Sequence, residues 1–237
     1  MSLSSHPIRP VERPLPLRQT VYDALVELIV SGTLQPGRHL VEAELARQLG
    51  VSRQPIRESL HRLQAEGWVE LRPGQGAFVH TPTEQEVDQL LDVRGLLEGE
   101  AARLAAVSST PEDVARLREL WREGVAALDI DDPDRLVAAN AAFHAQVTSM
   151  AGNVVLAELA GLVDRRVRWY YGRVARTRGH ESWEEHGALV DAIAAGDGAA
   201  AAGIARRHSD RTKQTYLARA EVSSPGSAPP AAPSSAS

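Results

Sequence analysis

Four side chains that could bind a metal ion lie in the second half of the chain: Asn140, His144, His186 and His208. Asn140 and His144 are four residues apart, so on a helix they share one face and could chelate a divalent ion together. His186 and His208 fall on two later predicted helices, and facing helices of a bundle assemble such sites in their common core. The intervals of 42 and 22 residues between the histidines match no compact ligand motif. Spacing alone therefore favours ordinary core or surface histidines and leaves a metal site as the alternative.

A cationic set lies in the first third of the chain, in the stretch VSRQPIRESLHRL at residues 51–63. Three basic residues spaced four apart share one helical face, opposite three apolar residues: Arg53, Arg57 and His61 against Ile56, Leu60 and Leu63. Such a helix suits the DNA major groove, where arginine binds guanine or phosphate and Gln54, near the helix start, can reach bases. A solvated amphipathic helix rich in arginine explains the same periodicity equally well.

Three short helices and a hairpin are predicted around this stretch. Apolar periodicity predicts helices over residues 17–31 and 41–49, and a third that starts at Ser52, an expected N-cap residue, and ends at Gly67. The segments WVEL and AFVH alternate like two strands on either side of RPGQG, which predicts a hairpin with Arg72 at its tip. The helix-turn-helix spacing of LARQLGVSRQPI favours DNA binding over the solvated helix, with the hairpin as a wing on the adjacent backbone or minor groove.

From Thr83 the pattern changes to long amphipathic helices. Starts are predicted at Thr83, at Thr110 with Pro111 and at Asp132 with Pro133, and further helices over about 153–176, 182–195 and 198–217. The predicted fold class is mainly α, with a winged helix-turn-helix over residues 17–80 and an all-α antiparallel bundle of about six helices over residues 81–220. Residues 1–16, which hold four prolines, are expected to form a flexible arm, and low-complexity residues 221–237 a disordered tail.

Composition excludes several classes of function. The chain has no cysteine, so it can form neither a disulfide framework nor a thiolate metal site. The net charge is −5, but residues 1–80 carry nine Arg against eight acidic residues, and the acidic excess lies in the remainder. Overall charge therefore does not exclude a basic surface in the first segment. We expect no membrane partner and a cytoplasmic location, since no apolar run approaches the roughly 20 residues of a membrane span.

The first segment resembles a known family. LVEAELARQLGVSRQPIRESLHRLQAEGWVELRPGQGAFV, preceded by SGTLQPG, is similar to the winged helix-turn-helix of GntR-family transcriptional regulators. The resemblance covers residues 17–80 and implies that Arg53 and Arg57 contact double-stranded operator DNA, supported by Ser52, Gln54 and the wing at Gly74. Ala43 departs from the pattern, because relatives often carry an arginine there, so one DNA contact is expected to be missing.

The second segment resembles the FCD ligand-binding domain of the FadR subfamily. The resemblance rests on LLDVRGLLEGEAARLAA, NAAFHAQVTSMAGN, EEHGALVDAIAAGD and ARRHSD, in that order. It implies that Asn140, His144, His186 and His208 bind a divalent metal and that Arg94 faces an effector cavity. Asn140 stands where relatives commonly have aspartate, so the ligand set is neutral. We therefore expect Zn²⁺ or Ni²⁺ over Mn²⁺, and an anionic effector, a small carboxylate. Pairing of Arg94 with Glu98, one turn on, is the alternative role for that arginine.

The function that these patterns predict is a dimeric, ligand-responsive transcriptional regulator, with repression the commoner outcome in such families. Two recognition helices of a homodimer would bind a palindrome. A metal-dependent hydrolase with Glu185 as general base is one alternative. It is disfavoured because Glu185 and His186 are adjacent on a helix, so their side chains diverge by about 100°. An effector-independent DNA-binding protein with a structural metal is the other alternative.

Overall fold

The computed structural model of the chain describes residues 17–171 and 178–223. These residues form two compact units that divide between Thr81 and Pro82. The predicted arm at 1–16, the end of the helix predicted over 153–176 and all of the predicted tail beyond Ser223 lie outside the described residues. Within the described ranges, no helix combines the length and apolar character needed to cross a membrane.

The first unit packs three helices against a small sheet. The helices are α1 (Leu17–Val30), α2 (Glu42–Leu49) and α3 (Arg53–Ala65), and the strands are β1 (His39–Leu40), β2 (Val69–Arg72) and β3 (Gly76–Val79). Strand β3 lies in the middle and pairs antiparallel with both others. The predicted hairpin is formed by β2 and β3. Strand β1 was not predicted, because two residues are too few to show an alternating pattern.

The apolar face of α3 closes the core of this unit. Ile56, Leu60 and Leu63 are buried, together with Leu25 and Ile29 of α1. Helix α2 ends at Gly50, whose left-handed φ of 65° turns the chain toward α3. Burial of the apolar side of α3 leaves its arginine side facing outward.

The second unit contains six helices within the described residues. They are α4 (Glu84–Ser108), α5 (Pro111–Asp129), α6 (Pro133–Met150), α7 (Val154–Tyr171), α8 (Gly179–Ala194) and α9 (Gly198–Ser223). Thr83 and Thr110 each form a capping box, and the Asp132 carboxylate accepts a hydrogen bond from the backbone amide of Arg135. The predicted fold class, mainly α with an N-terminal winged helix-turn-helix and a C-terminal helical domain, is confirmed.

Two helix ends differ from the prediction. Helix α8 begins at Gly179 rather than at 182, directly after the buried Arg178 side chain that anchors the chain there. Helix α9 continues past 217 and past the predicted start of the tail, because no strong helix breaker occurs in the sequence before Pro225.

Small side chains and one aromatic ring organise the core of the second unit. Alanines let α4 and α9 approach closely, and six of them are buried: Ala101, Ala102, Ala105 and Ala106 on α4, and Ala201 and Ala205 on α9. Phe143 of α6 is fully buried in the same cluster. Its ring stacks on the His186 imidazole with centroids 4.4 Å apart, so the apolar core runs directly into the histidine cluster.

Candidate DNA-binding surface and metal centre

The outward face of α3 carries the predicted DNA-binding side chains. Arg53, Gln54, Arg57 and His61 are all exposed. Ser52 occupies the N-cap position of α3, as predicted, but its hydroxyl makes no capping hydrogen bond. Gln54 donates to Glu58 one turn on, over 2.8 Å. Arg53 has no ion-pair partner in the described part of the chain, so a guanidinium stands at the start of the helix beside the exposed Ser52 hydroxyl.

Arg57 is held by a carboxylate that sequence reasoning missed. Its Nε and Nη2 donate to the two oxygens of Glu42 over 3.0 and 2.8 Å, a two-pronged ion pair between α3 and α2. The hydrogen bond from Arg57 lowers the pKa of Glu42 and raises the pKa of Arg57 in return. The separation of 15 positions gave no signal, because only the fold brings the two helices together. Glu42 fixes where the Arg57 guanidinium lies.

The hairpin of β2 and β3, the predicted wing, carries a similar ion pair between an arginine and a glutamate. Arg72 donates from Nε and Nη2 to one oxygen of Glu70 over 3.2 and 2.9 Å, and its guanidinium lies 4.3 Å from the Phe78 ring centre. Gly74 sits in the loop between β2 and β3 with φ 71°, a conformation that favours glycine. An open groove between α3 and this hairpin is lined by Arg57, His61, Arg72 and Gly74, among others. The groove thus brings two of the predicted arginines and the wing glycine to one surface.

Three of the four predicted metal ligands meet in the second unit. His144 of α6, His186 of α8 and His208 of α9 each offer a ring nitrogen, and these nitrogens all lie within 4.8 Å of one another. His186 is 1% exposed, and neither of its ring nitrogens has a hydrogen-bond partner among the described residues. Buried polar atoms are almost always satisfied in native proteins. A cation bound among the three rings would satisfy one of these nitrogens, so the residues present fit a metal ion.

Two glutamates orient the outer imidazoles. Nδ1 of His144 lies 3.0 Å from a Glu98 oxygen, and Nδ1 of His208 lies 2.7 Å from a Glu185 oxygen. Donation from Nδ1 leaves a lone pair on Nε2, which is the state of histidine that coordinates metals. Burial lowers the pKa of His208 although its bond to Glu185 opposes the shift, and burial with the neighbouring imidazoles holds the pKa of His186 well below its usual value. Both rings are therefore neutral at neutral pH.

The predicted ligand set was neutral, but these two glutamates bring negative charge next to the histidines. Burial alone would raise the pKa of Glu98, but the charges of Arg94 and His144 hold it well below the usual range, so Glu98 is ionised. Glu185 is ionised as well. The expectation of Zn²⁺ or Ni²⁺ now rests on the imidazole ligands themselves and not on an uncompensated charge.

Asn140 and Arg94 line the cavities beside the cluster. Asn140 is half-buried one turn before His144 and lines a small cavity together with Arg94 and Trp183. Arg94 is buried, and its Nε donates to Glu98 over 2.8 Å, the pairing that the sequence left open. Its Nη2 lies 3.4 Å from Nε2 of His144, and the residue also lines a larger cavity of about 230 Å³. Arg94 therefore both pairs with Glu98 and faces the cavity.

Glu185 is poorly suited to the role of general base. Its oxygens accept hydrogen bonds from Arg178, Arg211 and His208. Burial would raise its pKa, but the bonds from His208, Arg211 and Arg178 outweigh that effect and lower the pKa to about 2. A carboxylate with that pKa binds protons too weakly to abstract one efficiently near neutral pH. The geometry therefore argues against the hydrolase hypothesis.

Arg178, which sequence reasoning also missed, ties α8 to α9. The buried guanidinium donates both to Glu185 and to the carbonyl of His208 and the hydroxyl of Thr212, over 3.2 and 2.9 Å. The only sequence signal was an arginine beside a helix start, which is usually a surface position.

Comparison with known proteins matches each of the two units to a described family. Residues 17–79 match the family described as bacterial regulatory proteins, gntR family, and residues 89–211 match the FCD domain family. The HTH-type transcriptional regulator LutR of Bacillus subtilis (strain 168) is 31% identical over 199 residues, covering 73% of this chain and 89% of LutR. The Nta operon transcriptional regulator of Aminobacter aminovorans is 31% identical over 142 residues, covering 60% of this chain and 67% of that protein.

A solved structure shows the same fold. The structure of E. coli McbR/YncC superimposes with a TM-score of 0.75 at 24% identity, covering 87% of this chain and 100% of that one. Family matches over both units and extended similarity to regulators agree with the architecture described above. The chain therefore belongs to the GntR family of bacterial transcriptional regulators, with a winged helix-turn-helix followed by an FCD domain.

Proposed function

We propose that this regulator represses transcription by binding a palindromic operator as a homodimer, and that a small carboxylate effector changes its operator affinity. Residues 17–80 bind the DNA: Arg53, Gln54 and Arg57 enter the major groove, Ser52 contacts the backbone, and Arg72 and Gly74 contact DNA from the wing. The exposed face of α3 and its groove against the hairpin support this assignment. The role places the protein in the cytoplasm, with chromosomal DNA.

Residues 81–220 sense the effector through a metal site. His144, His186 and His208 hold a divalent ion, Zn²⁺ or Ni²⁺ in preference to Mn²⁺, with Asn140 as the fourth protein ligand. The observation that carries this assignment is the pair of unpartnered, buried nitrogens on His186. When bound, the ion supplies a positive charge that attracts an anionic effector. Arg94 binds the effector carboxylate from the wall of the adjoining cavity, and Glu98 sets the position of its guanidinium.

The homodimer is supported by an exposed apolar surface on α4 and α7, two helices that pack together. Leu96 on α4 and Val155, Leu159 and Leu162 on α7 are between 48% and 64% exposed. Positions 155, 159 and 162 follow helical spacing, so they form one stripe. A contiguous apolar surface on a folded domain marks an interaction site, and a second copy of the chain would cover it.

The test combines metal analysis, operator binding and effector titration on the full chain. Protein loaded with Zn²⁺ is titrated with labelled DNA from upstream of its own gene by fluorescence anisotropy, with and without a panel of carboxylates, and again after chelation. We expect one carboxylate to weaken operator binding only when metal is present. Arg53→Ala should cost about 1–3 kcal/mol of operator affinity, whereas Arg116→Ala, an exposed arginine of α5, should cost nothing.

Two other results would separate the alternatives. His186→Ala should lose the metal and the carboxylate response while operator binding persists. Chelation that unfolds the second unit, with no carboxylate affecting operator affinity at any stage, would instead assign the metal a purely structural role. Operator affinity unchanged in Arg53→Ala would contradict the proposed DNA contact.

A further inference from the structure

The cavity beside the histidine cluster has one polar end and a largely apolar wall. Its volume is about 230 Å³, and it lies among α4, α6 and α7. The polar end is formed by Arg94, Glu98 and His144, and the opposite wall by α7. Ala145 and Ser149 are exposed and mark its open side. A ligand held at the polar end would therefore extend along α7.

The wall on α7 offers no hydroxyl, amide or charged group over most of its length. It consists of Ala157, Ala160, Gly161 and Val163, with Asp164 at its end. The Asp164 carboxylate is already paired with Arg168 one turn on, over 3.3 Å. From Ala157 to Val163 the wall can therefore contact a hydrocarbon group but cannot replace the hydrogen bonds of a hydroxyl group with water.

Two polar groups on the other walls are also engaged within the protein, and the Ser149 hydroxyl lies at the open side. The Thr148 hydroxyl donates to the carbonyl of His144 over 2.8 Å. Glu98 accepts hydrogen bonds from Arg94 at one oxygen and from Ser209 at the other. A sugar acid in this space would leave several hydroxyls unpaired, each lowering its affinity on the order of 10-fold.

Size narrows the class of ligand further. An engineered cavity of about 150 Å³ is known to accept benzene, so a cavity of about 230 Å³ has room for one ring and a short arm. We propose that the effector is a monocarboxylate with an apolar tail of about six to nine carbon atoms, an aryl or branched alkyl group lying along α7. The inference rests on the proposed carboxylate-sensing function and specifies which acids the site accepts.

Gly161 gives a way to test where the tail lies. A Cβ built at Gly161 meets no atom within 4 Å, and its backbone is helical, so a larger side chain can be added without a backbone clash. Gly161→Leu should place its side chain in the cavity, and Gly161→Ala should fill it only slightly. Ala138→Leu, on an exposed position of α6, adds the same type of side chain outside the cavity.

The experiment is isothermal titration of the Zn²⁺-loaded full chain with 3-phenylpropanoate, 4-methylpentanoate, gluconate and acetate. We expect the first two acids to bind at least 10-fold more tightly than gluconate or acetate. Gly161→Leu should weaken 3-phenylpropanoate binding at least 10-fold, with metal content and acetate binding unchanged, and Ala138→Leu should have no effect. If Gly161→Leu does not fold, Gly161→Ala should still weaken 3-phenylpropanoate more than acetate.

The possible failures are distinguishable. If gluconate binds as tightly as the apolar acids, the proposed preference for an apolar tail is wrong, but the proposed carboxylate sensing still holds. If 3-phenylpropanoate binds tightly and Gly161→Leu does not change its affinity, the tail lies elsewhere and the inference is also overturned. If none of the four acids binds, the proposed carboxylate sensing and the inference of an apolar tail both fail.

Discussion

Arg178 is not one of the proposed metal ligands, but through Glu185 it determines the orientation of one of them, His208. Its buried guanidinium donates to both oxygens of Glu185 over 2.7 and 2.8 Å, and Glu185 accepts a hydrogen bond from Nδ1 of His208. A buried guanidinium requires a charged partner, so Glu185 cannot rotate away without leaving Arg178 unpaired. The orientation of the His208 ring is thereby fixed by a residue 30 positions earlier in the chain.

The first prediction concerns this carboxylate. Glu185→Gln retains a hydrogen-bond acceptor for His208 but removes the charge that makes the imidazole a stronger ligand, so metal affinity should fall about 10- to 100-fold. Competition with a chromophoric chelator measures the affinity, and circular dichroism checks that the metal-free variant is folded. Glu181→Gln, the same change at a largely exposed position of α8, is the control. Equal affinities for the two variants would contradict the assigned role of Glu185.

At the residue scale, the sequence predicted which histidines come together better than it predicted their surroundings. The resemblance selected His144, His186 and His208, and the fold brings them together. The hydrogen bonds of Glu98 with His144 and of Glu185 with His208 were not predicted, because each histidine lies on another helix, 46 and 23 residues away. No local pattern reports a contact between helices.

The helix pair α5 and α8 places His186 through a reciprocal packing of tryptophan on glycine. The Trp183 ring of α8 lies over Gly124 of α5, and the Trp121 ring of α5 lies 3.3 Å from the position a Cβ would take at Gly187 of α8. The Trp121 indole also donates to the Trp183 carbonyl over 2.9 Å. Because Trp183 packs edge-on against the His186 ring, with centroids 4.7 Å apart, this crossing positions one of the proposed metal ligands.

The second prediction follows from that crossing. A methyl group at Gly124 would overlap the Trp183 ring, so Gly124→Ala should destabilise the second unit by about 1–3 kcal/mol and also weaken metal binding by displacing Trp183. Thermal unfolding and chelator competition measure the two effects. Gly161→Ala is the matched control: the same change in a helix with open space should stabilise by up to about 1 kcal/mol. A Gly124→Ala variant as stable as that control would refute the packing argument.

At the element scale, capping signals predicted where three helices start, since Thr83, Thr110 and Asp132 act through neighbours only three residues away. Strand β1 could not be predicted, because its pairing with β3 depends on residues about 40 positions apart. Local chemistry sets helix starts, whereas strand partners and helix crossings depend on the assembled fold.

The third prediction concerns the whole molecule and its proposed homodimer. Leu96→Glu combined with Leu159→Glu places two charges on the exposed apolar surface of α4 and α7, so the variant should be monomeric by analytical ultracentrifugation. It should bind a single half-site but lose the extra affinity for the palindrome. Ile130→Glu, an exposed apolar residue at the end of α5, should stay dimeric. A dimeric double variant would place the interface elsewhere.

The carboxylates beside Arg57 and Arg72 bear on how the protein responds to ionic strength. Phosphate binding gains free energy by releasing counterions from DNA, and the salt dependence of affinity counts the positive charges that replace them. Glu42 and Glu70 already neutralise two of the three arginines predicted to face DNA, and only Arg53 lacks an ion-pair partner within the described chain. Operator affinity should therefore decrease with salt concentration less steeply than the number of arginines on the surface would indicate, and Arg53 should account for most of the slope.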